Sequence, residues 1–119
     1  MIKFDIKELA IQIAQLLDEK KALDVQVLDI SNLTTICDFF VIASGRTELQ
    51  VRALCDELQK NLTLKEYRAW HKEGYREGRW IVLDYKDVVV HLFHKNEREF
   101  YNLERLWADG LRIGINSLG

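Results

Sequence analysis

RWIVLDYKDVVVHLFHKNEREFYNLERLW, from Arg79 to Trp107, reads as two strands joined by a tight turn and followed almost at once by a helix. Two apolar runs, Trp80–Leu83 and Val88–Phe93, flank Asp84-Tyr85-Lys86-Asp87, a composition suited to a hairpin connection. With Tyr85-Lys86 as the loop, Asp84 is expected opposite Asp87, and Trp80 opposite His91. Alternation then places Ile81, Leu83, Val88, Val90 and Leu92 on one apolar face. Trp80, Val82 and Asp84 share the other face with Asp87, Val89 and His91. One face needs covering; the other mixes an indole, an imidazole and carboxylates. The spacing after the hairpin predicts a helix capped by Asn96, with Glu99 closing a capping box and Gly110 ending it. Phe100, Leu103 and Trp107 make its apolar stripe, and Tyr101, Glu104 and Arg105 fall on a neighbouring face.

Outward from this segment the chain reads as one domain. Its 119 residues can enclose a single core, and no apolar run approaches the ~20 residues needed to span a bilayer. The first residues, MIKFDIKELA, start an amphipathic helix rather than a signal peptide, with Asp5 as cap, Glu8 completing the box, Phe4 stapled to Leu9, and Ile6, Leu9, Ile13, Leu16 and Leu17 as its apolar stripe. Cys37 and Cys55 lack metal-ligand spacing and read as reduced core thiols of a cytoplasmic protein. A net charge of −2 argues against a main contact with nucleic-acid phosphates.

Leu23–Ile30 is predicted as a strand, with Val25 and Val27 on one side and Leu28 and Ile30 on the other. Phe39–Ala43 has no alternation and is predicted as a central strand buried on both faces. Thr47 and Gln50 form a capping box for a helix whose inward stripe is Val51, Leu54, Cys55, Leu58 and Leu62. A weaker strand is expected near Lys65–His71, and Glu73–Gly78 is a charged turn. The expected product is an α/β single domain over 1–110, with a mixed sheet of about five strands flanked by helices. Residues 111–119 are read as a short C-terminal tail lying on the domain or on a partner chain.

At W-x-x-L-D-Y, D-V-V-V-H-x-F and R-E-x-Y-x-L-E-x-L-W the chain resembles the ribosomal silencing factor family, also called Iojap-related proteins. Thr34-Thr35-Ile36-Cys37-Asp38-Phe39-Phe40-Val41-Ile42-Ala43-Ser44-Gly45 and Glu73-Gly74 agree with it, so the likeness covers roughly Ile6 to Asp109. One departure is Lys86, where members commonly carry glycine. The resemblance implies a reduced nucleotidyltransferase-type fold. It also implies docking on a ribosomal protein at the intersubunit face of the large ribosomal subunit, which would block joining with the small subunit and repress translation under nutrient limitation. The acidic balance favours a basic ribosomal protein over RNA as the direct contact. No membrane partner is expected, and the exposed hairpin or the apolar tail is expected to pair two copies weakly in the free state.

The expected partner-binding residues are Trp80, His91, Arg98, Tyr101 and Glu104. No cofactor, metal or catalytic residue is assigned. Ser44-Gly45-Arg46-Thr47 could hold a phosphate, but a single glycine makes no cradle and an ordinary capped helix start explains it better. Asp84 and Asp87 make at most two metal ligands, and solvated carboxylates at a turn explain them better. His91 has no serine or cysteine placed beside it to activate. The competing reading, a nucleotide-binding enzyme of nucleotidyltransferase type, calls for a Gly-Ser turn and an Asp-x-Asp. The chain has Ser-Gly in the other order and no Asp-x-Asp.

Overall fold

The computed structural model describes residues 3–106, 108 and 110–114. Helix α1 (Lys3–Glu19) is followed by strands β1 (Leu23–Asp29) and β2 (Phe39–Gly45), and helix α2 (Glu48–Leu64) leads to the short β3 (His71–Glu73). Strands β4 (Trp80–Asp84) and β5 (Val88–His94) form the hairpin, then come helices α3 (Lys95–Tyr101) and α4 (Leu103–Leu106) and strand β6 (Leu111–Ile113). One mixed sheet runs β3-β4-β5-β2-β1-β6, with β2 and β5 parallel and the other pairs antiparallel. The expected α/β layer is present, with six strands rather than five. Residues 111–113, read from sequence as part of a tail, pair with β1 through Val27↔Ile113 and Asp29↔Leu111.

The helices cover one face. Ile6, Leu9, Ile13 and Leu17 of α1 and Val51, Leu54, Cys55, Leu58 and Leu62 of α2 pack on Val27, Val41, Ile81, Leu83, Val90 and Leu92. Both inward stripes match their sequence spacing, and so does the division of β1, with Val25 and Val27 on the helix side and Leu28 and Ile30 behind. On the other face Leu28, Ile30, Ile42, Val89 and Phe93 form a smaller cluster with Leu103, and Trp80 and Val82 are only partly covered. Ile81 and Leu83 are fully buried while their neighbours Trp80, Val82 and Asp84 are half-buried. That face stays open over β4.

Several local expectations are corrected. The hairpin register is Trp80↔Phe93, Val82↔His91 and Asp84↔Val89, two residues away from the predicted one. The Tyr85 N–H donates to the Val88 carbonyl at 2.9 Å, so the loop is Lys86-Asp87 rather than Tyr85-Lys86. An even shift leaves every side chain on its predicted face, which is why the face assignment survives the error. Asp5 lies inside α1 rather than at its cap, and the side chains of residues 3–5 fall outside the described ones. For α2, Thr47 Oγ1 accepts from the Gln50 N–H as expected, but Gln50 Oε1 returns to the Arg46 N–H, one residue before the cap.

The strand expected near Lys65–His71 starts only at His71, because α2 ends in a longer closure. Tyr67 N–H reaches Leu62 O and Glu66 N–H reaches Thr63 O, with Glu66 at φ 68 in the left-handed place that glycine usually fills. Helix α1 closes the same way, with Lys21 at φ 70, Ala22 N–H on Leu17 O and Lys21 N–H on Asp18 O. Helix α3 is capped by His94, whose ring nitrogen accepts from the Asn96 N–H at 3.2 Å, and not by Asn96 itself. It breaks at Asn102, φ 46, a residue type that tolerates the left-handed region, so Gly110 does not end it. Leu103 therefore belongs to the separate α4, and the side chain of Phe100 and all of Trp107 lie outside the described residues.

Lys86 takes φ 71 at the first loop position, a conformation that costs an L-residue about 1 kcal/mol or more. Two contacts offset this: its N–H donates to Asp84 Oδ1 at 2.7 Å, and its Nζ sits 4.0 Å above the exposed Trp70 ring. Lys86→Gly is therefore expected to stabilise the chain by up to about 1 kcal/mol in a Trp70→Ala background and by less when Trp70 is present. Urea unfolding of the two single variants and the double variant reads this directly, and equal gains in both backgrounds would show that the Trp70 contact carries no energy.

Candidate functional site

The open face of β4 and β5 is built by strand alternation. Trp80, on the first residue of β4, stacks on Phe93 across the hairpin (ring centroids 5.0 Å apart) and touches Tyr101 of α3 at 4.7 Å. Its carbonyl is held by the preceding turn: a Cβ on Gly74, at φ 79, would lie 2.0 Å from Trp80 O, so only glycine lets that strand entry close. Phe40 of β2 meets the His91 ring edge-on at 4.6 Å. The result is an aromatic row of Phe40, His91, Trp80, Phe93 and Tyr101 across four elements.

Within the row, Trp80 Nε1 donates to His91 Nδ1 at 3.1 Å. An indole N–H can only donate, so Nδ1 must accept and neutral His91 carries its proton on Nε2. That Nε2 is buried and has no hydrogen-bond partner among the described residues. His91 is 7% exposed, and desolvation by burial lowers its pKa to about 4. The imidazole is therefore neutral near pH 7. It orients the indole while keeping one donor unused, a feature that in a buried polar group calls for an explanation.

Of the residues singled out from sequence, Trp80, His91 and Tyr101 come together. Tyr101 is 44% exposed and Trp80 half-buried, so these two present the aromatic surface, with His91 beneath. Arg98 goes elsewhere. It is 8% exposed, and its guanidinium contacts Ser44 Oγ at 3.0 Å, the Leu23 carbonyl at 3.3 Å and Asp24 Oδ2 at 3.4 Å. Arg98 thus ties α3 to the end of β2 and to the irregular start of β1, a positioning task rather than the surface contact expected of it. The backbone of Glu104 lies in α4, and its side chain is outside the described residues. Phe40, Val82, Val89 and Phe93 complete the face. Alternation in the hairpin could have found Phe93, but nothing in the sequence announces that β2 lies parallel to β5 and brings Phe40 in.

The acidic end of the same face is ordered too. Asp38 and Phe39 N–H both donate to the Asp87 carbonyl, at 2.9 and 3.0 Å, and Asp84 stands opposite Val89 rather than Asp87. The predicted carboxylate pair across the hairpin is not formed. Among the described residues no group of three acidic, histidine or cysteine side chains is placed to hold a metal. Burial, then the nearby Asp84, Asp38 and Asp87 carboxylates, push the Cys37 thiol up to about 11, and burial does the same for Cys55. Neither thiol is poised as a nucleophile at neutral pH.

The depressed pKa of His91 has a stability consequence. The unfolded chain binds this proton near pH 6.5 and the folded chain only near 4, so stability is full above the unfolded value and falls as pH drops between the two. The contribution of His91 to that fall is expected to be on the order of 2 kcal/mol from about pH 7 to about pH 5. Comparing wild type with His91→Phe by urea unfolding at both pH values tests it; equal slopes would mean His91 does not titrate in this window.

The geometry can be set beside known proteins. A profile described as "Ribosomal silencing factor during starvation" matches residues 3–118. The ribosomal silencing factor RsfS of Halalkalibacterium halodurans is 43% identical over 101 residues, covering 85% of this chain and 86% of that protein. The RsfS of Bacillus subtilis is 40% identical over 103 residues, 83% and 87% of the two chains. A crystal structure from Chromobacterium violaceum superposes with a TM-score of 0.81 at 33% identity, covering 91% of this chain and 88% of that one. One from Bacillus halodurans gives 0.78 at 40% identity, with 91% and 98% covered. With a whole-length profile match and relatives this similar across most of both chains, the chain belongs to the ribosomal silencing factor family.

Proposed function

We propose that this chain binds a basic ribosomal protein on the intersubunit face of the large ribosomal subunit and there blocks joining with the small subunit, lowering translation under nutrient limitation. The reading makes it a steric regulator of the cytoplasm rather than an enzyme. The observation that carries it is the half-buried Trp80, framed by Phe93 and Tyr101 on a sheet face that the helices leave uncovered. Amphipathic aromatics with partly accessible faces are typical anchors of protein interfaces, and the row offers two of them side by side, Trp80 and Tyr101. The net charge of −2 suits a basic protein surface better than phosphates. The names of the relatives supply the link to ribosome silencing. Trp80 and Tyr101 make the contact on this reading, His91 fixes the indole from below and Arg98 holds α3 in place.

Co-sedimentation with separated ribosomal subunits tests the proposal. Recovery with the large subunit, and loss of subunit association in its presence, are expected; recovery with neither subunit removes it. Trp80→Ala should weaken large-subunit binding by about 2 kcal/mol or more, the scale of an aromatic anchor, and should also lower thermal stability because the indole packs on Phe93. A variant that is less stable but binds as before would make Trp80 a core residue only. The same face, left without its target, is expected to pair two copies weakly about a two-fold axis. Light scattering should then show mass rising with concentration in wild type but not in Trp80→Ala, and a strictly monomeric wild type would sink this part.

A further inference from the structure

Below the connector between β1 and β2 the open face deepens into a cavity of about 190 Å³. Its walls are Ile30, Thr34, Ile36, Cys37, Phe40, Val89 and His91, and the surface they present is apolar. Ile36 is 83% exposed, an unusual position for an isoleucine unless something is to cover it. Beside the cavity, next to Cys37 in its wall, lie the carboxylates of Asp84, Asp38 and Asp87. Asp38 adjoins Cys37 in sequence and is bonded through its N–H to Asp87, and Asp84 faces Val89. Among the described residues no lysine or arginine pairs with these three carboxylates; the nearest cation in sequence, Lys86, lies over Trp70 instead. His91 lines the cavity as well, and its buried Nε2–H has no hydrogen-bond partner among the described residues. Apolar walls, unpaired carboxylates beside them and an unused buried donor occur together on one short stretch of sheet.

We propose that this cavity seats a lysine or arginine side chain of the docking partner, its stem against Ile30, Phe40 and Val89 and its cation among Asp38, Asp84 and Asp87. The inference deepens the ribosome-docking reading and rests on it for the identity of the partner. Only a long side chain with an aliphatic stem and a cationic head satisfies both the walls of the cavity and the carboxylates beside it. From the Val89–Asp84 level to the His91 level is two residues of strand, about 7 Å, which an extended lysine or arginine can cross. The main-chain carbonyl of the same partner residue would then lie near the imidazole and accept from Nε2–H. That atom is shut off from water in the free chain, so the Ile36 side of the cavity yields as the partner enters. Such a seat gives the surface selectivity for a basic protein that an aromatic row alone does not supply, because like-charged and neutral side chains leave the carboxylates unpaired.

The test uses the full chain and two probes. Asparagine at 38 and 84 removes charge while keeping an oxygen for the Lys86 N–H, so Asp38→Asn with Asp84→Asn is expected to fold, as thermal unfolding will check. In co-sedimentation with large subunits the double variant should bind about tenfold more weakly than wild type, with a shallower salt dependence. In the second arm, the isotope-labelled chain is titrated with millimolar acetyl-Gly-Lys-Gly-amide and with the same peptide carrying norleucine. Amide shifts at Asp38, Phe40, Val89 and His91 are expected with the lysine peptide, and they should be lost with norleucine and in the double variant. Wild-type affinity and salt dependence in the double variant would overturn the proposal, as would equal shifts from both peptides or none from either. If wild type itself fails to sediment with the subunit, the ribosomal reading falls, and the peptide arm alone decides whether the cavity takes a basic side chain. An Asp38→Asn, Asp84→Asn chain that does not fold transfers the decision to the same peptide comparison on wild type.

Discussion

Strand β5 is covered on both faces from Val88 to Phe93, and most of this structure follows from how that burial is achieved. A strand without an exposed side needs a neighbour on each edge and a layer on each face. The hairpin supplies β4 on one edge, and β2 supplies the other by a parallel pairing that runs from Phe39↔Val88 to Gly45↔His94. A parallel neighbour cannot be reached by a tight turn, so a helix and further strands must lie between β2 and β5 in the chain. Helix α2 is part of that crossover, and its stripe of Val51, Leu54, Cys55, Leu58 and Leu62 covers the face that α1 leaves free.

The second layer is thinner, and function resides in the difference. Behind the sheet Leu103 and the β1–β2 connector cover Leu28, Ile30, Ile42 and Phe93, while Trp80, Val82 and Phe40 are left partly exposed. The open surface has a direction: carboxylates at the turn end, an apolar cavity at mid-strand and stacked aromatics at the α3 end. The neutral His91 sits at the centre because burial penalises its charged form, and its Trp80 bond permits only the tautomer that leaves Nε2–H unused. Arg98 stabilises the frame from within by joining α3 to Ser44 and Asp24, so a residue that reads as a surface cation serves as an internal tie.

Turns and helix ends follow a rule that the composition conceals. With no proline and six glycines in the chain, residues other than glycine take left-handed positions at Lys21, Asp24, Glu66, Lys86 and Asn102. Two of these close helices α1 and α2 with paired backbone hydrogen bonds, and one turns the β4–β5 hairpin. Each costs conformational energy that neighbouring contacts offset, as the Trp70 ring does beneath Lys86.

Local periodicity was sufficient to assign the inward stripes of α1 and α2, the two faces of β1, the burial of β2 at all but Phe40 and the partition of the hairpin between an apolar and a mixed face. Those features depend on repeat lengths that every residue in an element reports, so they tolerate a single wrong turn; the two-residue register error moved no side chain across the sheet. Family motifs in the sequence carried the resemblance for the same reason, being spread over most of the chain. What the sequence could not determine was set by contacts between distant residues or by backbone angles without a residue signature. The parallel β2–β5 register brings Phe40 to His91, the sixth strand forms only because β1 has a free edge, and Glu66 ends α2 without a glycine to announce it. Arg98 is buried because α3 folds back on the sheet, and His91 because Trp80, Phe40 and the β1–β2 connector surround it; burial is a property of the assembled layers that no spacing of residues along the chain expresses.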